Sequence, residues 1–427
     1  MASAAEQLAA NMNFGAFQKA TDLHKRIWFT VIALVVYRIG VFMPIPGLDP
    51  AKYAEQFGKM GQGLIGMLNM FNGGAIKQGS VLSLGVMPYI SASIIVQLLQ
   101  SVYPPWEKLK KEGGEAGRKQ LNQYTRYLTV ALALFQAAGT TATLLNPLAY
   151  APGIYFTVTA VVTLTGGTMF LMWLGEQITS RGVGNGVSLI IFAGIVARFP
   201  DLFGQLFSQA RENAIPIGQL FMVIAILIGV VFAIVFIERS QRRILIQYPK
   251  QQRGNRMIGG DTSFLPIKIN SAGVIPPIFA SSLLVLPATV IGFASTAKLP
   301  PWLDWLQNAA GSLSPGHPLH MGLYAFLIIF FCFFYTSVVF NPEDTAENLR
   351  KYGGFVPGIR PGKRTADYLS SVLTRLTVIG AAYITAVCLL PELAMAFNPA
   401  LQALAYGIGG TSILIVVSVT MDTVAQI

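Results

Sequence analysis

The sequence predicts an all-α polytopic membrane protein, with ten transmembrane helices in two inverted five-helix halves. Three observations predict it. Hydrophobic residues make up 53% of the 427 residues and charged ones only 11%, with a mean hydropathy of +0.56, outside the range of soluble domains. Several apolar runs reach about 20 residues, the length that crosses a bilayer as a helix. One phrase, G-V-x-P-x-I-x-A-S, is written twice inside apolar runs, as GVMPYISAS at Gly85–Ser93 and as GVIPPIFAS at Gly273–Ser281.

In order, the spans read Ile27–Met43, Ser80–Tyr103, Tyr124–Asn146, Ile154–Glu176, Val187–Phe199, Ile217–Phe236, Asn270–Phe293, Met321–Phe340, Leu373–Leu390 and Tyr406–Met421. The fifth is short and is expected to run past Pro200 as a broken or tilted helix. No cleavable leader is expected, because the first apolar run begins only at Ile27.

The net charge of +11 is gathered in alternate loops. Lys25 and Arg26 precede span one. Lys108, Lys110, Lys111, Arg118 and Lys119 follow span two, Arg239 to Arg256 follow span six, and Arg350 to Arg364 follow span eight. The loops after spans three and nine carry no Lys or Arg. The positive-inside rule therefore places both termini in the cytoplasm.

Gly61–Ser80, GQGLIGMLNMFNGGAIKQGS, holds an apolar core too short to span and rich in Gly and Met. It reads as a re-entrant half-helix, which survives at membrane depth only inside protein or beside a water-filled cavity. The repeated phrase falls in spans two and seven, five spans apart, and an odd number of spans per half forces the halves to be inverted. The chain then divides into a cytosolic segment 1–24, an N-terminal half 25–210 with the re-entrant segment 61–80, and a C-terminal half 211–427. The second half carries cytosolic loops 238–268 and 341–370. Pro88, Pro276 and Pro277 are expected to kink the two repeated helices.

Ionisable residues are sparse in the spans: Arg38 late in span one, and Glu176, Glu238 and Asp422 near cytoplasmic ends. An ion-coupled transporter needs midplane carboxylates or histidines, and His24, His317 and His320 all read as outside the spans. The centre offers Val86, Ile90 and Ile278 instead, and an apolar constriction can close by dewetting.

Taken in order, YRIGVFMPIPG (Tyr37–Gly47), MLNMFNGGA (Met67–Ala75), MPYISASI (Met87–Ile94), LGEQITSRGVGNG (Leu174–Gly186), NSAGVIPPIFASS (Asn270–Ser282), FNPEDTAENL (Phe340–Leu349), FVPGIRPGKRT (Phe355–Thr365) and GGTSILIVV (Gly409–Val417) resemble the SecY family. Its members are the central subunits of bacterial protein translocases, and the likeness runs from about Lys25 to Gln426.

The resemblance implies an hourglass channel in the bacterial cytoplasmic (inner) membrane that passes unfolded polypeptides and opens like a clamshell. Its waist would be a pore ring of Val86, Ile90, Val187, Ile191, Ile278 and Ile415. The valines stand where relatives often carry isoleucine, which implies a slightly wider waist. Met67, Leu68, Met70, Phe71, Asn72, Gly73, Gly74 and Ala75 would form the plug, expected to leave without breaking strong contacts.

A lateral gate between spans two and three and spans seven and eight would release signal sequences and transmembrane segments into lipid. Ser91, Gln97 and Asn270 are expected to hold that gate shut by hydrogen bonds. Arg239, Arg242, Arg243, Lys250, Arg253, Arg256, Arg360, Lys363 and Arg364 would contact the SecA motor or the ribosome, whose RNA phosphates attract Arg and Lys. The implied partners are the SecE and SecG subunits, SecA, the ribosome, nascent chains and membrane lipids. Relatives usually continue into a short basic tail, so the chain is expected to continue beyond Ile427.

Nothing in the sequence reads as catalytic, metal-binding or cofactor-binding. Gly182–Gly186 and Gly113–Lys119 do not fit a phosphate loop and read as turns, and His317 and His320 read as exposed loop residues. Cys332 and Cys388 lie in apolar runs, where a disulfide is not needed. The alternative class is an inverted-repeat secondary transporter for small solutes. It would need a polar midplane site; a membrane-embedded protease would need a catalytic set. The sequence offers neither.

Overall fold

The computed structural model describes residues 21–60, 69, 72–111, 113–211, 217–248, 251–253, 256–258, 262–284, 317–397 and 409–426. The helices of the first half are α1 (Thr21–Val41), α2 (Pro50–Met60), α3 (Met87–Val102), α4 (Pro104–Lys111), α5 (Gly114–Thr140), α6 (Ile154–Arg181), α7 (Gly186–Val196) and α8 (Phe199–Arg211). Those of the second are α9 (Ile217–Arg239), α10 (Ile275–Leu284), α11 (Pro318–Val339), α12 (Pro342–Lys351), α13 (Lys363–Phe397) and α14 (Gly410–Gln426). Each expected span coincides with a helix. By length and composition α6, α7 with α8, α11 and α13 could each cross a bilayer, while α3, α10 and α14 are apolar but shorter.

Lipid-facing positions stay exposed along these helices: Ile154, Val158 and Val162 on α6, Phe232 on α9. The fifth span breaks between α7 and α8. Pro200 stands in the first turn of α8, where its missing N–H would have had no helical partner.

The neighbour pattern of the first five spans recurs in the second five. Spans three and four pack (α5 on α6), as do eight and nine (α11 on α13). Four and five pack (α6 on α7), as do nine and ten (α13 on α14). One and five pack (α1 on α7), as do six and ten (α9 on α14). The two sets join where α7 meets α14. One large apolar cluster runs through both, from Tyr37 on α1 to Val419 on α14.

Close helix crossings rest on glycine. A Cβ on Gly186 would fall onto the Gly175 carbonyl, and one on Gly410 onto the Val387 carbonyl. Small residues let backbones approach this closely where lipid supplies no hydrophobic drive between helices. Gly410→Ala should therefore lower stability by about 2 kcal/mol or more. A thermal-unfolding midpoint equal to that of the parent in detergent would contradict this.

The all-α reading needs one addition, in the two basic loops. Strands β1 (Gln241–Gln247) and β4 (Thr262–Lys268) pair antiparallel, with a short pair of β2 (Gln251–Arg253) and β3 (Arg256–Ile258) at the far end. Ile244, Ile246 and Ile267 are buried while Arg242 and Arg243 are exposed. A basic loop with this alternation is a half-buried hairpin rather than a free topology signal. Its apolar face packs on Ala346, Val356, Ala366 and Leu369, so the two cytosolic loops share one small core. A backbone pair joins them directly, Gln247 N–H to Phe355 O at 2.9 Å and the return bond at 3.0 Å.

Candidate functional site

Both copies of the repeated phrase fold alike. Gly85 has φ +58° and Gly273 φ +63°, the left-handed region that favours glycine. Two residues later a helix begins, α3 at Met87 and α10 at Ile275, with proline as its second residue. The expected kinks are thus corrected: Pro88 and Pro276 stand in first turns and start helices, because proline fits there without losing a hydrogen bond. Spans two and seven are helical only from these points, later than Ser80 and Asn270.

Ile90 and Ile278 fall at the same offset, one turn into each helix. Ile90, Ile191, Ile278 and Ile415 are 5%, 3%, 8% and 0% exposed, and Val86 is 3% exposed. All five belong to one apolar cluster, with the partly buried Val187 packed against it. Aliphatic side chains of spans two, five, seven and ten are therefore buried in the same apolar cluster. Residues lining a water-filled passage would remain accessible, so the cluster is shut.

The segment 72–86 is a run of turns between the outer end of α1 and α3. Irregular backbone at this depth is held by protein on its sides. Val81 N–H donates to Met43 O, Ile45 N–H to Gly79 O, and Ser80 Oγ to Gly40 O, all at 2.9 Å. Of the expected plug, Met67, Leu68, Met70 and Phe71 lie outside the described residues. Asn72, Gly73 and Ala75 are buried and Gly74 is half-buried.

The segment expected to be the plug is tied more firmly than its composition implies. Asn72 Nδ2 donates to Ser83 O at 2.6 Å, Lys77 N–H donates to Asn69 Oδ1 at 2.9 Å, and Arg38 Nη1 donates to Gly73 O at 3.0 Å. Met and Gly content carries no information about which neighbours supply polar partners.

The three expected gate residues do not bond one another. Asn270 Nδ2 donates to Glu238 Oε1 at 2.6 Å and to Gly273 O at 3.1 Å, and Gln97 Nε2 donates to Ser93 Oγ at 3.2 Å within α3. Ser91 is buried on α3. Between the two repeated helices, Ser282 Oγ lies 3.9 Å from Met87 Sδ.

Sequence reading missed Arg126, which grips Glu176 through two bonds of 3.0 and 2.7 Å and ties α5 to α6. Both residues sit near cytoplasmic ends of consecutive spans, a signal that could have paired them. On the cytosolic side Arg239, Arg242, Arg243, Arg360, Lys363 and Arg364 are exposed. Arg253 and Arg256 flank the tip of the short strand pair, and Lys250 lies outside the described residues.

His317 is exposed as expected, but His320 is not. It is 2% exposed and stacks on Tyr324 at 5.8 Å, because α11 begins at Pro318 and turns its first turn inward. Gly182–Gly186 is the turn between α6 and α7, closed by Asn185, which accepts from Val187 N–H and Ser188 N–H. Gly113–Lys119 departs from the expected turn, since α5 already begins at Gly114. Both cysteines are buried and stand as thiols outside any disulfide, and no cluster of metal-ligating side chains occurs among the described residues.

Comparison with known proteins agrees with this geometry. The model of the SecY family matches residues 80–424. The protein translocase subunit SecY of Vibrio cholerae is 50% identical over 411 residues, covering 95% of this chain and 91% of its own. A solved protein-conducting channel superposes with a TM-score of 0.67 at 18% identity, covering 95% of this chain and 91% of its own. Sec61 in the canine ribosome–channel complex does so with a TM-score of 0.65 at 18% identity and the same coverage. With half its residues identical across nearly its whole length, the chain belongs to the SecY family.

Proposed function

We propose that the protein is the protein-conducting channel of a Sec translocase, with no catalytic activity of its own. The observation that supports this reading is that six aliphatic side chains of spans two, five, seven and ten lie in or pack against one buried apolar cluster, which we read as a ring. Such a ring suits arbitrary unfolded chains, since charged or hydrogen-bonding filters would hold some segments tightly. Branched aliphatic side chains seal around any sequence and bind none. Segment 61–80 acts as the plug over this ring. Spans two and three against seven and eight form the lateral gate, with Ser91, Gln97 and Asn270 near it and signal sequences and transmembrane segments leaving through it. The halves meet near residues 210 and 211.

The energy for transport comes from partners. The hairpin of β1 and β4 and the Arg360 turn form one basic cytosolic platform that suits RNA phosphates of a ribosome and acidic surfaces of the SecA motor. SecE and SecG complete the channel. The apolar groove lined by Phe199, Phe203, Leu227, Ile228 and Ile413 suits a partner helix or a lipid chain. The setting is the bacterial cytoplasmic membrane, with both termini inside.

The test is reconstitution of the chain with its two small subunits in sealed vesicles, supplied with SecA, ATP and a signal-bearing precursor. ATP-dependent protease protection of the precursor is the expected result. Uptake of small solutes with no protected precursor would instead support the secondary-transporter alternative. Arg360→Glu places an acidic side chain in the exposed cytosolic turn. It should cut SecA-driven protection by about tenfold while the variant still inserts and folds. Normal SecA-dependent translocation by this variant would remove Arg360 from the contact.

A further inference from the structure

Arg38 stands in the last turn of α1, half-buried among apolar neighbours, and no carboxylate pairs with it among the described residues. An ionised side chain inside a membrane protein is retained where it has a polar partner and a role. Its guanidinium lies 5.5 Å from the centroid of the Phe42 ring, and its Nη1 donates to the carbonyl of Gly73 at 3.0 Å.

Gly73 has φ +64°. A Cβ there would stand 2.8 Å from Gly194 Cα on α7 and 2.6 Å from the Tyr37 hydroxyl. A Cβ on Gly194 would in turn stand 3.1 Å from Gly73 Cα. Backbone therefore meets backbone at this point: Gly73 leaves no room for a Cβ, and one on Gly194 would push on its Cα.

We propose that Arg38 is the latch of the plug and that the Gly73–Gly194 contact is its seat. The assignment rests on reading 61–80 as a plug. The Arg38–Gly73 bond exists only while the segment is seated, so it is a differential contact of the kind that sets a two-state equilibrium. A carbonyl acceptor suits a device that must let go. A buried carboxylate partner would leave an unpaired charge behind on release, which is far harder to reverse. Span one thus holds the seal through one charge-assisted bond, and α7 holds it by fit.

The test uses the assembled channel with Ala75→Cys, a position that is 0% exposed in the seated plug. The parent, whose Cys332 and Cys388 are buried, sets the background. A membrane-impermeant maleimide is added on the outer side of sealed vesicles. Arg38→Gln should speed modification of the plug cysteine by about tenfold or more, the effect of losing one hydrogen bond to a charged group. Gly194→Ala, which leaves Arg38 in place, should do the same, and it keeps the test decisive if Arg38→Gln does not fold.

Modification at the parental rate in both variants overturns the latch. So does a lower thermal midpoint of Arg38→Gln with parental modification, which would make Arg38 a purely structural residue. Faster modification beside an Ile278→Asn channel that does not leak keeps the latch and sinks the channel reading. Unchanged modification beside a leaky Ile278→Asn channel keeps the channel reading and sinks the latch.

Discussion

Ile278→Asn opens a resting ion leak through the closed channel. Ile278 is 8% exposed in the large apolar cluster that also holds Ile90, Ile191 and Ile415. Asparagine brings two N–H donors and a carbonyl to a site where the neighbouring ring residues, Ile90, Ile191 and Ile415, offer no hydrogen-bond partner. Leaving that amide unsatisfied is worth about 1–3 kcal/mol against the closed state, and water is the partner nearest to hand. One wetted position in a thin apolar constriction is enough to lower the barrier to ions.

Single-channel recordings in planar bilayers should show resting conductance raised by at least about tenfold for Ile278→Asn, and likewise for Ile90→Asn at the matching position of the other half. Ile278→Val removes one methylene, a change of about 0.5–1.5 kcal/mol, and should stay closed. Unchanged conductance in both asparagine variants would refute the waist assignment.

The second large effect lies at the cytoplasmic start of span seven. Glu238, only 9% exposed at the end of α9, accepts the Asn270 amide at 2.6 Å. Asn270→Leu removes that donor and leaves the carboxylate buried with one partner fewer. The expected loss is about 2–4 kcal/mol, seen as a lower unfolding midpoint in detergent. Pairing it with Glu238→Leu should restore most of the loss, because the stranded charge goes as well. If the double variant is as unstable as the single one, the bond to Glu238 is not what Asn270 contributes. Because the bond fixes α9 to the start of α10, the single variant should also loosen the face on which Ser282 meets Met87.

Much of this was readable beforehand because a membrane restricts what sequence can do. The apolar runs became helices since a backbone in lipid has no other way to satisfy its polar groups. The twin phrases led to equivalent buried positions, Ile90 and Ile278, since identical local chemistry (a left-handed glycine, then proline in a first turn) starts each helix at the same offset. The same phrases misled about the prolines. Proline in an apolar run reads equally as a kink or as a start, and only the preceding backbone distinguishes them.

His320 was misplaced for a related reason: its run looks like loop until Pro318 is seen to begin α11. Polar pairings were the least legible. Arg126 with Glu176, Asn270 with Glu238 and Arg38 with Gly73 join residues at least 32 positions apart in sequence, and which acceptor lies within 3 Å of a donor is set by helix crossings.

Composition, the apolar runs and the repeat by themselves determined the helical membrane class and the matching helix starts that carry Ile90 and Ile278. These follow from solvation energies that each segment meets alone. Tertiary structure alone decided that the two basic loops share one core through the Gln247–Phe355 pair. It also decided that Gly73 meets Gly194 at backbone distance, and that Arg38 donates to the Gly73 carbonyl. Those outcomes depend on how helices cross, and crossing geometry is fixed only when every buried face has found its partner.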